Sequence, residues 1–295
     1  MATFIARAAS YDGEVATPIL RGLREVGVTA AEIKGRRILL KPNLVEPHLG
    51  VGHINTHPQV VRGAAEAFRR LGAAEILVGD APGHCRDGLL VLEESRLGEV
   101  LAADRLGYVD LNAEPGFTVR NLGGQTRLAR ITLPEVVRRV DLIVSLAKMK
   151  THHWAGVTLS LKNLFGLLPG PYYGFPKNVL HTQGIAKSIV DVAATVRAHL
   201  AIVDGIVGME GDGPIMGTAR PAGVLVVGRN LAAVDATCAR VMGIDPLRVT
   251  YLKAVAGWLG PVAEAEIEQR GEAIAAVRTP FALLDHIPAL KGLRG

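Results

Sequence analysis

Residues 141–154 read DLIVSLAKMKTHHW and give the first indication of the fold. Residues 141–146 form a short apolar run, which is typical of a buried strand in a parallel sheet. Lysines and histidines follow at once, so the polar residues begin where the strand is predicted to end.

Similar apolar runs occur before this segment and are separated by an amphipathic stretch. Residues 37–40 form a strand that enters Lys41-Pro42-Asn43, where proline and asparagine favour a turn. A helix is predicted to open at His57-Pro58, because apolar residues then recur at helical spacing. Residues 75–79 form the next strand. This order predicts an α/β protein with a mostly parallel sheet and helices on both faces, with room for an inserted smaller lobe.

The same alternation continues towards the C-terminus. Further strands are predicted at residues 199–203, 223–227 and 281–284. Helices are predicted at residues 88–103, 133–139, 231–242 and 246–258.

Composition limits the classes of function. The chain has 295 residues, 49% hydrophobic and 21% charged, with a net charge of +5, which favours anionic ligands in general. Only 4% of residues are aromatic, so no stacking platform for single strands is visible and nucleic acid is an unlikely partner. No long apolar run predicts a membrane span and no export signal is visible, so a cytoplasmic location is expected. Cys85 and Cys238 are the only cysteines, too few for a four-cysteine iron–sulfur cluster.

Polar residues stand at the ends of most predicted strands, where ligands bind in open α/β sheets. They are Lys41, Asp80, Lys148, Asp204 and Arg229. Neither a dinucleotide-binding glycine fingerprint nor a P-loop occurs. The predicted site is therefore of another kind.

The richest polar segment runs from residue 145 to residue 166. Its lysines, Lys148, Lys150 and Lys162, suit a phosphate or a carboxylate, and its glycines allow a ligand close to the backbone. His152 is a candidate general acid or base, with His181 as the second candidate. The alternatives are metal ligation by the histidines, or a solvated loop followed by an ordinary helix.

Two further clusters could reach the same edge of the sheet. Asn55 or Thr56 either caps the following helix, or belongs to a loop that delivers Lys41 and Asn43 to the lysines. Residues 204–217 are rich in glycine and carboxylates, and they either hold a divalent cation, oppose the lysines, or form a plain loop. The predicted metal ligands are Asp80, Asp204 and Asp212.

These clusters, in this order, resemble the domain of unknown function 362 family between about residues 35 and 250. The resemblance is carried by Lys41-Pro42-Asn43-Leu44, Gly79-Asp80, Lys148-Met149-Lys150-Thr151-His152, Val157-Thr158, Lys162-Asn163-Leu164-Phe165-Gly166, His181, Val203-Asp204, Gly211-Asp212-Gly213-Pro214, Gly217 and Ala233-Val234-Asp235. It implies an α/β protein, and residues 1–295 are taken as a single family domain in which residues 150–185 form either a lid or a lobe. Some members carry a ferredoxin-like module with iron–sulfur clusters. This chain lacks those cysteines, so a redox role would need an external partner or a different cofactor.

The sequence therefore predicts an enzyme that acts on a small anionic molecule by proton transfer (an isomerase or lyase type) or by redox chemistry (an oxidoreductase with an external partner). The alternative is a non-catalytic protein that binds an anion or a metal. The catalytic candidates are His152, Lys150 and His181. The substrate-binding candidates are Lys41, Asn43, Lys148, Thr151, Thr158, Lys162 and Asn163. Residues 169–176 form either a lid or a contact in a homo-oligomer.

Overall fold

The computed structural model describes residues 1–47, 52–84 and 87–294. Within these ranges the strands are β1 (Ala2–Arg7), β2 (Arg37–Pro42), β3 (Glu75–Asp80), β4 (Gly107–Asp110), β5 (Gly116–Arg120), β6 (Arg130–Pro134), β7 (Leu142–His152), β8 (Gly156–Thr158), β9 (Leu200–Glu210), β10 (Thr218–Gly228) and β11 (Glu268–Gly271).

The α-helices alternate with the strands through most of the chain. They are α1 (Ala16–Glu25), α2 (Ala30–Ile33), α3 (Pro58–Arg70), α4 (Gly88–Glu94), α5 (Leu97–Ala103), α6 (Val136–Arg139), α7 (Ser160–Asn163), α8 (Gly170–Tyr173), α9 (Asn178–Thr182), α10 (Ile185–Val196), α11 (Leu231–Val241), α12 (Thr250–Val255) and α13 (Ile274–Val277). Short 3-10 helices lie at Leu164–Leu167, Pro246–Arg248 and Glu264–Glu266. None of the helices in the described ranges is long and apolar enough to cross a membrane.

One mixed, mostly parallel sheet organises the molecule. The strand order is β11-β1-β10-β9-β7-β2-β3-β4, with β8 added to the end of β7. Strands β9, β7, β2, β3 and β4 run parallel to one another, and β11 runs parallel to β1, whereas β10 is antiparallel to both β9 and β1. The predicted α/β class with a mostly parallel sheet is confirmed.

Helices cover both faces of this sheet. Successive strand residues face opposite sides, so Leu39 joins one buried cluster while Ile38 and Leu40 join the other. Helices α1 and α3 complete one cluster, and α7, α10, α11 and α12 complete the other. Removal of each such side chain from water contributes about 1.5–3 kcal/mol, so the two clusters account for most of the driving force for folding.

Strands β7 and β9 are longer than predicted. β7 continues to His152, and β9 continues through Asp204 to Glu210. The lysine-rich segment is therefore a buried strand and not a loop behind one, and much of the predicted glycine-rich loop is also a strand. The prediction failed because lysine, glycine and aspartate favour strands weakly on their own, while burial between two neighbouring strands decides the matter here.

Several smaller predictions were also wrong. Residues 281–284 form no strand, and β11 forms the edge of the sheet instead. The helix predicted over residues 88–103 is divided into α4 and α5 at Arg96, whose φ is 60°. The N-cap of α3 is His57, whose Nδ1 accepts from Gln59 N, and neither Asn55 nor Thr56 serves as the cap.

Candidate functional site

A cavity of about 200 Å³ lies at the carboxyl ends of β2, β3 and β7. The carboxyl ends of parallel strands lie along the same edge of the sheet, so residues that are distant in sequence lie close together there. The titratable groups that line it are Lys41, Asp80, His84, Lys150, His152, His153, Lys162, Lys177 and His181. Among the residues that the structure describes, the cavity wall thus holds four lysines, four histidines and a single carboxylate.

That carboxylate is already neutralised. Lys41 Nζ lies 2.8 Å from Asp80 Oδ1, and both side chains are almost fully buried. Lys41 also donates to Asn163 Oδ1 at 3.0 Å, and Asp80 Oδ2 accepts from Leu44 N at 2.7 Å. Burial lowers the pKa of Lys41 and raises that of Asp80, and their mutual attraction opposes both shifts. This pair therefore contributes little net charge to the cavity.

Gly166 is required by this ion pair. A Cβ at that position would overlap Asp80 Oδ1 and Lys41 Nζ. The Gly166 carbonyl also accepts from Ala81 N at 2.8 Å, so the glycine backbone lies directly against the end of β3. Glycine is the residue that permits this close approach.

Lys150 has no such carboxylate partner among the described residues. It is fully buried on β7, and its Nζ donates to the carbonyl oxygens of Ile54 at 2.8 Å and Pro214 at 3.2 Å. Burial, followed by the charges of Lys148 and Lys162, holds the pKa of Lys150 well below its usual value. An anion brought near it would reverse that penalty.

Lys162 and Lys177 are the other two cavity lysines that form no ion pair with a described carboxylate. Lys162 Nζ lies 4.1 Å from the centre of the Phe165 ring, a favourable cation–π distance. Lys177 Nζ donates to Leu168 O at 2.5 Å and lies 3.5 Å from Asn112 Oδ1. Burial is the largest cause that lowers the pKa of each of these lysines to about 7.

The hydrogen bonds of His152 and His181 give the two rings opposite roles. His152 Nδ1 accepts from Trp154 N at 3.0 Å and Ala155 N at 3.3 Å, so the neutral ring carries its proton on Nε2. His181 Nδ1 faces the carbonyl oxygen of Lys177 at 3.1 Å, so it must donate, and Nε2 keeps the lone pair. Burial lowers the pKa of His152 well below its ordinary value, and burial and Lys162 lower that of His181 to about 4. The cavity thus holds one imidazole donor and one imidazole acceptor.

Two buried polar atoms in the cavity wall have no hydrogen-bond partner among the described residues. They are Asn43 Oδ1 and Thr158 Oγ1. Asn163, in contrast, is fully engaged, because its amide also donates to Lys41 O and Ser145 Oγ. Natural proteins leave few buried polar atoms unpaired, so these two atoms are an unusual feature of this cavity.

Asp235 positions the helix that carries Lys162. It lies on α11, and its carboxylate accepts from Ser160 N at 2.7 Å, Ser160 Oγ at 2.5 Å and Leu161 N at 3.0 Å. Burial raises the pKa of Asp235 to about 7 despite these bonds. Asp235 lies in the first turns of its own helix, but its carboxylate satisfies the amides of α7.

Lys148 belongs to a separate, closed cluster. Its Nζ lies 2.8 Å from Asp204 Oδ2 and 2.9 Å from Tyr11 OH, which in turn donates to Asp204 Oδ1 at 2.9 Å. Asp204 also accepts from His57 N at 3.0 Å, and the His57 ring stacks on Tyr11 at 3.6 Å. Lys148, Asp204 and Tyr11 therefore satisfy one another's charges and hydrogen-bonding groups.

The structure brings together most of the residues that the sequence selected. His152, Lys150, His181, Lys41, Asn43, Thr158, Lys162 and Asn163 all line the cavity. Lys148 and Thr151 do not, because Lys148 pairs with Asp204 and the Thr151 hydroxyl donates to Gly211 O at 2.8 Å. Sequence reasoning missed Lys177, His84, Asp235 and Tyr11. Lys177 alone had a signal, since it lies between the polar segment 145–166 and His181.

The three predicted metal ligands have separate partners. Asp80 pairs with Lys41, Asp204 with Lys148, and Asp212 Oδ1 lies 3.0 Å from His153 Nδ1. Across residues 1–47, 52–84 and 87–294, no three histidine, cysteine, aspartate or glutamate side chains are grouped to hold a metal ion. Cys238 is buried in the apolar core on α11, and Cys85 lies outside the described residues. The cysteines of this chain do not fit a four-cysteine iron–sulfur cluster.

Comparison with known families identifies the family of this chain. A family model described as Domain of unknown function (DUF362) matches residues 38–240. The chain belongs to this family. The match extends from β2, which carries Lys41, to α11, which carries Asp235, and the resemblance drawn from the sequence is confirmed.

Relatives of this DUF362 protein include a thylakoid-associated protein of Synechocystis sp., which is 28% identical over 258 residues, or 84% of this chain and 76% of the relative. Among solved structures, the lactate racemase apoprotein from Thermoanaerobacterium thermosaccharolyticum matches 81% of this chain with 12% identity and a TM-score of 0.47. A protein from Thermotoga maritima matches 73% of it with 13% identity and a TM-score of 0.43. The chain spans 57% and 55% of the lengths of those two structures.

Proposed function

We propose that this chain is an enzyme that binds a small carboxylate or phosphate in the cavity and transfers a proton on it. The observation that carries the proposal is the excess of buried or partly buried cationic groups over carboxylates among the described residues of the cavity wall. Lys150, Lys162 and Lys177 have no described ion-pair partner, and the single carboxylate, Asp80, is neutralised by Lys41.

The electrostatics favour an anion over any other ligand. A buried ammonium group without a counter-charge is costly, and a bound anion supplies that charge. The same anion would raise the pKa of Lys162 and of Lys177 from about 7, so both would bind it in the charged form. Binding and proton uptake are therefore coupled at this site.

The two histidines supply the proton transfer. His181 presents an unprotonated Nε2 and acts as the base, while His152 presents Nε2–H and donates to the developing charge on the ligand. The pKa of His181 is held to about 4 by burial and by Lys162, and an anion that offsets Lys162 would raise it towards the range useful to a base. Phe165 and Trp154 lie beside the His181 ring and limit its contact with water.

Binding is tested by titration calorimetry with inorganic phosphate and with a panel of short carboxylates. Lys162→Met should weaken the best ligand by about 10-fold or more, because one charge-assisted contact is lost. Lys253→Met, at an exposed position outside the cavity, is the matched control and should bind like the parent. Equal affinity in parent and Lys162→Met would overturn the site.

Proton transfer is tested by exchange in D2O. Carboxylates that bind are incubated with the protein, and loss of the proton signal beside the carboxylate is followed by NMR. We expect exchange with the parent and with His199→Asn, since His199 lies outside the cavity lining, and none with His181→Asn. A ligand that binds tightly without exchange in any variant would leave a non-catalytic anion-binding protein.

A further inference from the structure

The two buried polar atoms without a hydrogen-bond partner, Asn43 Oδ1 and Thr158 Oγ1, indicate the chemical class of the ligand. We infer that the anion bound here carries a hydroxyl group, which pairs with Asn43 and Thr158. This inference rests on the proposed function, because it describes a second group on the same anion.

Asn43 is fixed by its backbone and leaves its side-chain oxygen free. Its N–H donates to Thr56 Oγ1 at 2.8 Å, and its carbonyl accepts from Thr56 N at 2.9 Å. The side chain is only 8% exposed, and Oδ1 has no hydrogen-bond partner. An amide oxygen accepts and does not donate, so the group that satisfies it, on a ligand or on a water molecule, must offer a hydrogen.

Thr158 lies on a different structural element of the cavity wall. It lies on β8 in register with Lys150 on β7, and it is 3% exposed. Its Oγ1 is also unpaired, and a hydroxyl both donates and accepts. A carboxylate or a deprotonated phosphate held by the lysines offers no hydrogen, so it would leave the Asn43 oxygen without a donor.

The donor on the ligand is a hydroxyl and not an amine. A protonated amine would enter a cavity that already contains Lys150, Lys162 and Lys177, and repulsion between like charges opposes this. A hydroxyl is neutral, donates to Asn43 Oδ1 and accepts from Thr158 Oγ1. It therefore matches both unpaired atoms without adding charge.

The size of the cavity indicates the size of the molecule that it holds. A cavity of roughly 150 Å³ holds benzene. The volume of about 200 Å³ here therefore accommodates a molecule of about six to ten non-hydrogen atoms by the same standard. Hydroxylated carboxylates and phosphates of about three or four carbons are of this size.

The test compares probes that differ in their hydroxyl groups alone. Glycerate is compared with propanoate, and glycerol 3-phosphate with propyl phosphate, by titration calorimetry. We expect the hydroxylated member of at least one pair to bind about 10- to 100-fold more tightly, because its deoxy analogue leaves two buried polar atoms unpaired. The pair that shows the preference also tells a carboxylate from a phosphate.

Two variants assign the preference to residues. Thr158→Val and Asn43→Leu should each reduce the preference to less than about threefold, while the affinity for the deoxy probe stays near that of the parent. Without ligand, Thr158→Val should melt at the same or a higher temperature, because an unpaired hydroxyl is removed. If Thr158→Val fails to fold, Asn43→Leu carries the test alone.

Failure of this inference differs from failure of the proposed function. If the parent binds both members of each pair equally, and binding still depends on Lys162, that result would overturn the inference of a hydroxyl group on the ligand and would leave the anion site standing. The unpaired atoms would then be satisfied by water. No binding of any of the four probes or of inorganic phosphate would overturn both.

Discussion

Lys148 and Lys150 are two residues apart on β7 and equally buried, yet they belong to different kinds of cluster. Lys148 lies in a closed set of contacts with Asp204 and Tyr11, in which each charge meets an opposite charge or a hydrogen-bond partner. Lys150 meets only the carbonyl oxygens of Ile54 and Pro214 and faces a cavity.

The contrast shows that burial alone does not make a lysine functional. A buried lysine that is paired with a carboxylate holds the fold together, because breaking the pair leaves an uncompensated charge. A buried lysine without a carboxylate lowers the stability of the empty protein and is retained where a ligand supplies the missing charge. Each prediction below tests one side of this contrast.

The largest effect is expected from the same substitution at the two lysines. Lys148→Met leaves the Asp204 carboxylate buried without its cation, so the free energy of unfolding should fall by about 3–5 kcal/mol. Lys150→Met removes an unpaired charge and two hydrogen bonds, and these effects offset, so the free energy of unfolding should stay within about 1 kcal/mol of the parent. Urea denaturation of both variants measures the difference.

Anion binding should respond in the opposite way. Lys150→Met should abolish binding of the ligand that the parent binds, while Lys148→Met should retain it under conditions in which that variant is folded. Equal destabilisation by the two substitutions would contradict the distinction between a closed and an open cluster.

The next effect concerns the third buried lysine, Lys41, which lines the cavity but is paired like Lys148. Gly166→Ala would place a methyl group on the Lys41–Asp80 pair and should cost about 2–4 kcal/mol. Gly13→Ala is the control, because a Cβ there meets no atom within 4 Å. Thermal unfolding of both variants is the measurement, and a Gly166→Ala variant as stable as Gly13→Ala would show that the pair is able to move aside.

The architecture was predictable from the sequence, because short apolar runs that alternate with amphipathic segments leave few alternatives. The elements that were missed or cut short have a common cause. The strongest apolar runs of the sequence do not include β1, α1 or β11. Strands β7 and β9 extend through lysine and aspartate, whose presence in a strand depends on neighbours distant in sequence. Local pattern contains no information about those neighbours.

The site was predictable in part for the same reason. Strand ends indicated where polar groups meet, so Lys41, Lys150 and His152 were found. Residue type and spacing gave no means to separate Lys148 from Lys150, since the difference is the carboxylate of Asp204 and the hydroxyl of Tyr11. The distant support of α7 by Asp235 was likewise invisible.

A smaller effect is expected from the pH dependence of stability. Burial lowers the pKa of Lys162 from 10.5 to about 7, so between these values the unfolded chain binds more protons than the folded one. The free energy of unfolding should therefore rise with pH from about 7 to about 10.5, whereas below pH 7 the full penalty is present. Since Lys162 is partly exposed, we expect its contribution to be on the order of 2 kcal/mol.

Lys162→Met tests this contribution. Groups away from the cavity titrate alike in parent and variant, so the difference between the two curves reports Lys162 together with Lys150, His152 and His181, whose pKa values it lowers. The variant should be more stable than the parent at pH 7, and the gap should close towards pH 10.5. A difference in the free energy of unfolding that does not change with pH would mean that the pKa of Lys162 is not lowered. Lys162 would then be more exposed to solvent than the structure shows.

The smallest effect is expected at Tyr11, the hydrogen-bonding partner of Lys148 and Asp204 in the closed cluster. Tyr11→Phe removes the hydroxyl that accepts from Lys148 and Val207 N and donates to Asp204, and it should lower the free energy of unfolding by about 1–2 kcal/mol. Tyr108→Phe is the matched control, because the buried Tyr108 hydroxyl has no partner among the described residues, and its removal should be neutral or stabilising. Anion affinity should be unchanged in both, since neither tyrosine lines the cavity. A loss of binding in Tyr11→Phe at full stability would show that the two lysine clusters are coupled along β7, and the separation between structural and functional lysines would then fail.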